Sequence, residues 1–447
     1  MRLTPVAQSP IKISVALCEL GGKKVAPRPL AARRRLAYTL PPMNIRFINQ
    51  TFYPDVAATA QQLYDLAAYL TDRGHNVSVI TSRSLYGKAG ATLPKRETVH
   101  GIHIYRVGFS LFGKAGLLLR MLDFALFYLL ATLRALTLPK ADVVVTLTTP
   151  PFLGLAGWLI SRLRRCRFVY WAMDLYPDVP IACGVLKPRG LAAKLFESLN
   201  RFSLRHAHAA VALGRCMQDR IIAKGIAPAH VALIPVWADT DEIKLQPPGQ
   251  SPYRSEWKLE GKFVVMYSGN LGLGHDADTL FNAALTLKDH PTIQFVFAGG
   301  GKRAEALREF IQTHQLTNII QQPYQPRERL GDLLTCADVH LVSLSEELTG
   351  LVVPSKFFGI LAAARPVILV GTAQSEIARI ITETNCGYIV PNGDVGGLAD
   401  LVSSLTSPAR EPELAAMGER GRQALDSHYD RRHGCEKWET LLAKVAQ

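Results

Sequence analysis

Residues 263–275 read FVVMYSGNLGLGH, and Thr279–Leu287 after them have the apolar spacing of a helix. The β-rich start and the glycines predict a strand that runs into a tight turn and then a helix. Glycines allow a backbone to approach a ligand closely, and N–H groups at a helix start favour a phosphate. The order Gly269, Gly272, Gly274 departs from the G-x-G-x-x-G spacing of dinucleotide binding, which argues against a dehydrogenase.

A second junction of the same kind follows in residues 295–303, FVFAGGGKR, where the glycines precede two cations. Carboxyl ends of parallel strands share one edge of a sheet. The two turns together therefore predict a diphosphate ligand at that edge.

Short β-rich runs alternate with helical stretches on both sides of these turns, as in a doubly wound parallel sheet. The predicted strands are Ile45–Ile48, Val77–Ile80, His103–Val107, Val143–Leu147, Arg167–Trp171, Ala209–Val211, Val231–Ile234, Phe263–Tyr267, Gln294–Ala298, Ile319–Gln321, Val339–Leu344, Pro366–Val370 and Gly387–Val390. The Pro/Gly-rich interval QPPGQSP, residues 246–252, precedes the restart of the alternation. Two α/β units joined near residues 235–245 are expected.

Length and composition agree with two domains, since 447 residues with 48% hydrophobic residues exceed one compact core. Seven scattered cysteines are typical of reduced thiols in a cytosolic protein. A net charge of +14 suits an anionic partner, which could be nucleic acid, a phosphorylated lipid, a membrane surface or a sugar nucleotide. Residues 1–42 hold eight basic side chains against Glu19 and predict a disordered, dispensable basic extension; a targeting segment or lipid-binding arm is the alternative.

Residues 117–138 form an apolar stretch interrupted by Arg120, Asp123 and Arg134. Its longest uncharged run, Phe124–Leu133, is about half of the ~20 residues that a spanning helix requires, so the stretch is not expected to span a bilayer. One interpretation is a helix packed on the sheet. The other is that part of it dips into lipid beside Phe109–Lys114. The basic side chains expected to meet lipid phosphates are Arg162, Arg164, Arg165 and Arg167.

Residues 348–368, LTGLVVPSKFFGILAAARPVI, add a motif that, with the two glycine turns, resembles the donor domain of family-four GT-B glycosyltransferases. The bacterial branch that makes O-antigens and exopolysaccharides is the most similar. The first half resembles its acceptor domain in FYPD (52–55), RGHNV (73–77), TTPPF (148–152) and DLYPD (174–178).

The resemblance implies a GT-B fold, that is, two Rossmann-like doubly wound parallel-sheet domains facing across a cleft. The expected boundaries are 43–238 for the acceptor domain, 239–424 for the donor domain and 425–447 for a C-terminal helix returning to the first domain. Trp438, Leu441 and Leu442 are expected on the inner side of that helix.

This chain departs from most members of the family at the donor site. Asn270 and His275 stand where most have arginine and lysine, and Leu351 and Gly359 stand where most have two glutamates. The substitutions resemble those of the O-antigen branch, so a variant site is expected. Glu346 or Glu347 could supply a carboxylate to the donor sugar.

Loss of a nucleoside diphosphate leaves negative charge on the departing group, so cations and N–H donors are needed there. The predicted catalytic residues are His275, Lys356 and Asp174. The predicted donor contacts are Gly269, Asn270, Gly272, Gly300, Lys302, Arg303, Glu347, Gly350, Pro354 and Ser355, and those on the acceptor or phosphate side are Ala58 and Thr59.

No metal site is predicted. The DTD triplet at 239–241 imitates a metal-binding D-x-D but lies in the interdomain joint. No cofactor is expected, since the nucleotide sugar is a substrate.

The resemblance implies a retaining, metal-independent transfer from a nucleoside-diphosphate sugar to a polyprenyl-diphosphate-linked saccharide. The enzyme is expected to be peripheral on the anionic inner face of the plasma membrane, with no nucleic-acid partner. A nucleotide-sugar 2-epimerase of the same fold, or a catalytically silent membrane scaffold, remains the alternative.

Overall fold

The computed structural model describes residues 40–447 apart from 56, 86–87, 109–116 and 248; the side chains of 88–91 and 117–120 are also not described. Residues 41–447 form one compact unit. The basic extension predicted at 1–42 thus lies almost wholly outside the described residues.

The first sheet is built from the amino-terminal half of the described chain. The strands of this half are β1 (Asn44–Ile48), β2 (Asn76–Ser82), β3 (Ser84–Leu85), β4 (Lys88–Thr92), β5 (Arg96–Val99), β6 (Ile102–Val107), β7 (Val143–Thr146), β8 (Arg167–Trp171), β9 (Ala209–Ala212) and β10 (Val231–Leu233). Within the described residues, eight of them form a sheet in the order β10-β9-β8-β7-β1-β2-β6-β5. All neighbours are parallel except β5, which pairs antiparallel with β6 at the edge.

The second sheet is parallel throughout the part of the chain that is described. Its strands are β11 (Phe263–Asn270), β12 (Ile293–Gly300), β13 (Ile319–Gln322), β14 (Val339–Ser343), β15 (Val367–Val370) and β16 (Gly387–Val390). They are ordered β13-β12-β11-β14-β15-β16. The chain reverses its direction of travel between β1 and β7 in the first sheet and between β11 and β14 in the second, and such switch points open crevices at the strands' carboxyl ends.

Helices cover both sheets. They are α1 (Ala58–Asp72), α2 (Leu117–Thr137), α3 (Gly154–Arg164), α4 (Asp178–Ala182), α5 (Leu191–His206), α6 (Arg215–Ala223), α7 (Pro252–Glu256), α8 (Ala277–Thr286), α9 (Ala304–His314), α10 (Leu330–Thr335), α11 (Lys356–Ala362), α12 (Glu376–Thr384), α13 (Val395–Leu405), α14 (Glu411–Ala424) and α15 (Arg431–Ala446). This architecture of two α/β domains, each built on a largely parallel sheet, confirms the predicted fold class.

Three strands in the described part of the chain were not anticipated from the sequence. β3 and β4 form a small antiparallel sheet of their own, and β5 is the antiparallel edge strand. Residues 84–99 contain glycine, lysine and arginine with few apolar side chains, so the period-2 signal of a half-buried strand is missing. Pairing with β6 rather than burial holds β5 in place.

Helix α2 has two different faces. Phe127, Ala131 and Ala135 are buried in a cluster against the first sheet. On the opposite side Leu122 and Leu129 are 58% and 57% exposed. No helix in the described part of the chain is long and apolar enough to cross a membrane. The lipid contact predicted for Phe109–Lys114 involves residues outside those described.

The C-terminal helix α15 packs on α1 of the first domain. Trp438 and Leu442 are fully buried there, and Leu441 packs against the same core. Trp438 lies 4.5 Å, between ring centroids, from Trp171 of β8. The helix begins at Arg431, after a π-helical turn at Leu425–Tyr429.

Candidate active site

The two glycine turns of the second domain are fused into one surface. A Cβ on Gly299 would lie 2.1 Å from the carbonyl oxygen of Gly269, and one on Gly301 would lie 2.3 Å from that of Leu271. The Leu271 N–H donates to the Gly300 carbonyl at 2.6 Å. Only glycine permits this approach, so the triplet at 299–301 serves to seat one turn against the other.

Lys356, the first residue of α11, places its amine on that surface. Its Nζ lies 3.5 Å from the centroid of the Tyr267 ring. A Cβ built on Gly269 would be 3.7 Å from the same nitrogen. The amine is buried and has no hydrogen-bond partner among the described residues. Burial lowers the pKa of Lys356 from 10.5 to about 7. The amine can therefore accept a proton and bind an anion at the turn.

His275 lies beside this lysine and is fixed by the backbone of β14. Its Nδ1 is 2.6 Å from the carbonyl oxygen of Ser343, so Nδ1–H donates and the neutral ring keeps a lone pair on Nε2. Burial, and secondarily the charge of Lys356, lowers the pKa of His275 to about 4. Neutral His275 can accept a hydrogen bond from a hydroxyl group, whereas contact with a phosphate oxygen requires a second proton.

Asp276 is a site residue that the sequence did not indicate. Its carboxylate caps α8 by accepting from the Thr279 N–H at 3.1 Å. It also accepts from the side chain of Asn392 and the N–H of Gly393, each at 3.1 Å. These hydrogen bonds hold the pKa of Asp276 below its usual value although burial acts in the opposite direction. The cap anchors the loop after β16 to the donor-side turn.

The remaining predicted donor residues lie in several different surroundings. Gly269, Asn270, Gly272 and Gly300 lie on the fused turns with His275 and Lys356. Gly350, Pro354 and Ser355 lie in the segment that leads into α11, Lys302 and Glu347 are exposed, and Arg303 pairs with Asp278.

The predicted acceptor side is built from loops after β1, β7 and β8. Helix α1 starts at Ala58 without a side-chain cap, and Thr59 Oγ1 lies 3.1 Å from Thr51 Oγ1. The buried Arg106 donates to the carbonyl of Tyr53 at 2.7 Å and so braces the preceding loop. Because α1 follows β1, its first N–H groups lie at the switch point of the first sheet.

Asp174 follows β8 and is half-buried. Its N–H donates to Thr148 Oγ1 at 3.2 Å, whereas its carboxylate has no hydrogen bond or ion pair within the described residues. Burial raises the pKa of Asp174 to about 6. A carboxylate in this state can accept a hydrogen bond or a proton near neutral pH.

Loops of the two domains meet at this edge. The Leu175 N–H, next to Asp174, donates to the carbonyl of Leu351 at 3.0 Å. The Glu376 carboxylate of α12 accepts from the backbone N–H of Arg215 at 2.6 Å and from its Nε at 2.9 Å. Asp174 is thereby held beside the segment that leads to Lys356.

The D-x-D-like triplet takes part in the interdomain joint. Asp239 pairs with Arg431 at 2.8 Å, and Thr240 Oγ1 donates to Asp430 at 2.9 Å. No group of three or more potential ligands suited to a metal ion occurs among the described residues. The triplet thus connects the domain joint to α15.

Comparison with known proteins agrees with this architecture. Residues 58–237 match the family described as glycosyl transferase 4-like domain, and residues 250–424 match glycosyl transferases group 1. The chain is 29% identical over 301 residues to the probable glycosyltransferase WbjE of Pseudomonas aeruginosa, covering 67% of this chain and 74% of that protein. It is 24% identical over 349 residues to the putative colanic acid biosynthesis glycosyl transferase WcaI of Escherichia coli K12, covering 76% and 86%.

Solved structures share the fold. HepE of Anabaena, in complex with UDP and glucose, superposes with a TM-score of 0.68 at 17% identity, covering 90% of this chain and 100% of that one. WaaG, a glycosyltransferase involved in lipopolysaccharide biosynthesis, superposes with a TM-score of 0.63 at 19% identity, covering 90% and 99%. With both domain families matched in order, the chain belongs to the family-four GT-B glycosyltransferases and is a transferase.

Proposed function

We propose that the chain transfers a sugar from a nucleoside-diphosphate sugar whose diphosphate sits on the fused glycine turns. The buried amine of Lys356 carries this proposal, because it has no hydrogen-bond partner among the described residues and a buried cation is costly unless an anion pairs with it. The backbone of Gly269 lies close to the same nitrogen, since a Cβ built there would be 3.7 Å from Lys356 Nζ. HepE, which shares the fold, was solved with UDP and with UDP-glucose.

The proposed acceptor is a saccharide linked to a polyprenyl diphosphate in the synthesis of a cell-surface polysaccharide. The names of WcaI and WaaG, which refer to colanic acid and lipopolysaccharide, support that class. Asp174 would orient the acceptor hydroxyl at the junction with the donor domain.

The proposed reaction retains the anomeric configuration. The bond from the sugar's anomeric carbon to the diphosphate oxygen breaks, and the bond to the acceptor oxygen forms on the same face. The acceptor's proton passes to the departing diphosphate, whose charge Lys356 stabilises. No metal is proposed, and EDTA is expected to leave turnover unchanged.

The proposed site of action is the anionic inner face of the plasma membrane. Leucines of α2 and α3 face outwards and are 39% to 58% exposed, namely Leu122, Leu129, Leu133, Leu159 and Leu163. Arg162 and Arg165 are exposed beside them, while Arg164 is tied to the Leu138 carbonyl at 2.8 Å. Apolar side chains flanked by cations match the chemistry of an anionic lipid surface.

Calorimetric titration with UDP and GDP tests the donor site, and incorporation of labelled sugar into extracted polyprenyl lipids tests transfer. NMR of the product linkage reports retention. Absence of binding to either nucleotide would contradict the donor proposal. Conversion of the donor to its 2-epimer without lipid would instead establish an epimerase.

A further inference from the structure

Three aromatic rings cluster at the acceptor edge of the first domain. The ring centroid of Phe152 lies 5.0 Å from that of Phe196 and 6.3 Å from that of Tyr176. Phe152 lies between β7 and α3, Tyr176 follows β8, and Phe196 belongs to the first turns of α5. All three side chains are half-buried, so each keeps part of its surface open.

The backbone of Phe152 is strained. Its φ angle is +66°, in the left-handed region that glycine and asparagine tolerate and bulky side chains rarely adopt. If this turn had only a structural role, glycine or asparagine would fit its backbone conformation better than phenylalanine. Strain of this kind concentrates at ligand sites, where the surrounding structure holds a side chain in position.

The cluster lies near the Asp174 carboxylate. Tyr176 is two residues after Asp174, and both lie close to the Tyr170 ring, because burial first, then the charge of Tyr176 and then that of Asp174 raise the pKa of Tyr170. A sugar ring presents apolar C–H faces and hydroxyl edges. Aromatic rings beside a carboxylate match both, because the rings cover the C–H face and the carboxylate accepts a hydroxyl proton.

We propose that Phe152, Tyr176 and Phe196 form a subsite on which a sugar ring of the acceptor stacks, with one of its hydroxyls directed to Asp174. This subsite rests on the proposed transferase function. It determines which acceptor sugar is accepted, because a ring with an axial hydroxyl on the stacking face fits an aromatic surface less well.

Saturation-transfer NMR on the full chain with bound UDP tests the subsite. The probes are the methyl α-glycosides of glucose, galactose and N-acetylglucosamine, with farnesyl monophosphate as the isoprenoid probe. Transfer to ring C–H protons of at least one glycoside is expected. Phe152→Asn, which suits the left-handed backbone, should abolish that signal, and Phe196→Leu should weaken binding about three- to tenfold.

A matched control comes from the same helix. Phe202 of α5 packs on Trp158 at 4.9 Å, between centroids, outside the cluster, so Phe202→Leu should leave glycoside binding intact. UDP affinity by calorimetry should be equal in all variants.

The subsite is refuted if the wild type shows no glycoside signal, or if the signal survives both cluster variants. It is also refuted if only the farnesyl probe gives a signal that Phe152→Asn removes, because the rings would then seat lipid. If the wild type binds neither UDP nor GDP, the transferase proposal itself is overturned, whatever the glycosides show.

Discussion

Replacing Lys356 with methionine should make the protein more stable and nearly inactive. The native amine is buried against the Tyr267 ring with no hydrogen-bond partner among the described residues. Methionine has a similar length and no charge, and its sulfur makes favourable contacts with aromatic rings. The variant therefore keeps the packing and removes the group that resists burial.

The magnitude follows from the lysine's pKa. The amine titrates near 10.5 when unfolded and at about 7 when folded. Between these values the unfolded chain holds the extra proton, so the free energy of unfolding rises as pH increases from about 7 to 10.5. The gap corresponds to a ceiling of ~5 kcal/mol at pH 7 that methionine would recover. A rise of several degrees in melting temperature at pH 7 is expected.

Activity should change in the opposite sense. Removing one preorganised charge contact costs on the order of 10²–10³ in turnover. The wild type's affinity for UDP should decline above pH 7, by up to about tenfold per pH unit, because the free amine then lacks its proton. The affinity of the methionine variant should be weak and flat over that range.

Thermal unfolding, UDP titration across pH and turnover assays check these expectations, with the exposed Lys288→Met as the matched control. If the melting temperature of Lys356→Met does not rise, the amine is not destabilised by burial without a hydrogen-bond partner among the described residues, which contradicts this expectation. Near-normal turnover would remove Lys356 from the donor site.

Three other changes test the acceptor side, the interdomain contact and the membrane face. In the wild type we expect the transfer rate to rise as the Asp174 carboxyl ionises around pH 6, and Asp174→Asn should remove that rise and leave UDP affinity unchanged; an unaltered pH profile in the variant would count against this role of Asp174. Glu376→Gln should lower the melting temperature by a few degrees, more than Glu383→Gln, because Glu376 also accepts a backbone N–H of Arg215; equal effects would refute that ranking. Leu129→Glu should reduce sedimentation with anionic vesicles without changing UDP affinity, and unchanged sedimentation would remove this face from the membrane contact.

Apart from β3, β4 and β5, the sequence predicted the described strands, and it predicted the donor-side turns, because their signals are local. Short runs of consecutive apolar residues mark a strand buried on both faces, and three glycines within six positions mark a turn where the backbone approaches another group. The position of Lys356 next to these turns came from resemblance, since 87 residues separate it from Gly269. Its contact with the Tyr267 ring was not predictable, because the contact depends on where the tertiary fold places the start of α11 relative to β11.

Other site features depend on contacts that no local pattern encodes. Asp276 is adjacent to His275 in sequence, yet its bond to Asn392 spans 116 residues. Glu376 reaches Arg215 across 161 residues. The left-handed backbone of Phe152 contradicts the preference of a bulky side chain and therefore cannot be inferred from it. Such conflicts between local preference and structure are expected where a site imposes its own geometry.

The two sides of the candidate site reach similar pKa values from opposite directions. Burial lowers the pKa of Lys356 to about 7 and raises that of Asp174 to about 6. In water the pKa values of a carboxyl group and an amine differ far more. The shifts of both groups therefore reflect their loss of solvation at the candidate site. Both are ready to exchange a proton near neutral pH, and an arriving diphosphate favours the charged amine. The +14 net charge of the whole chain is thus a poor guide to the proposed donor site, where burial lowers the pKa of His275 to about 4 and that of Lys356 to about 7.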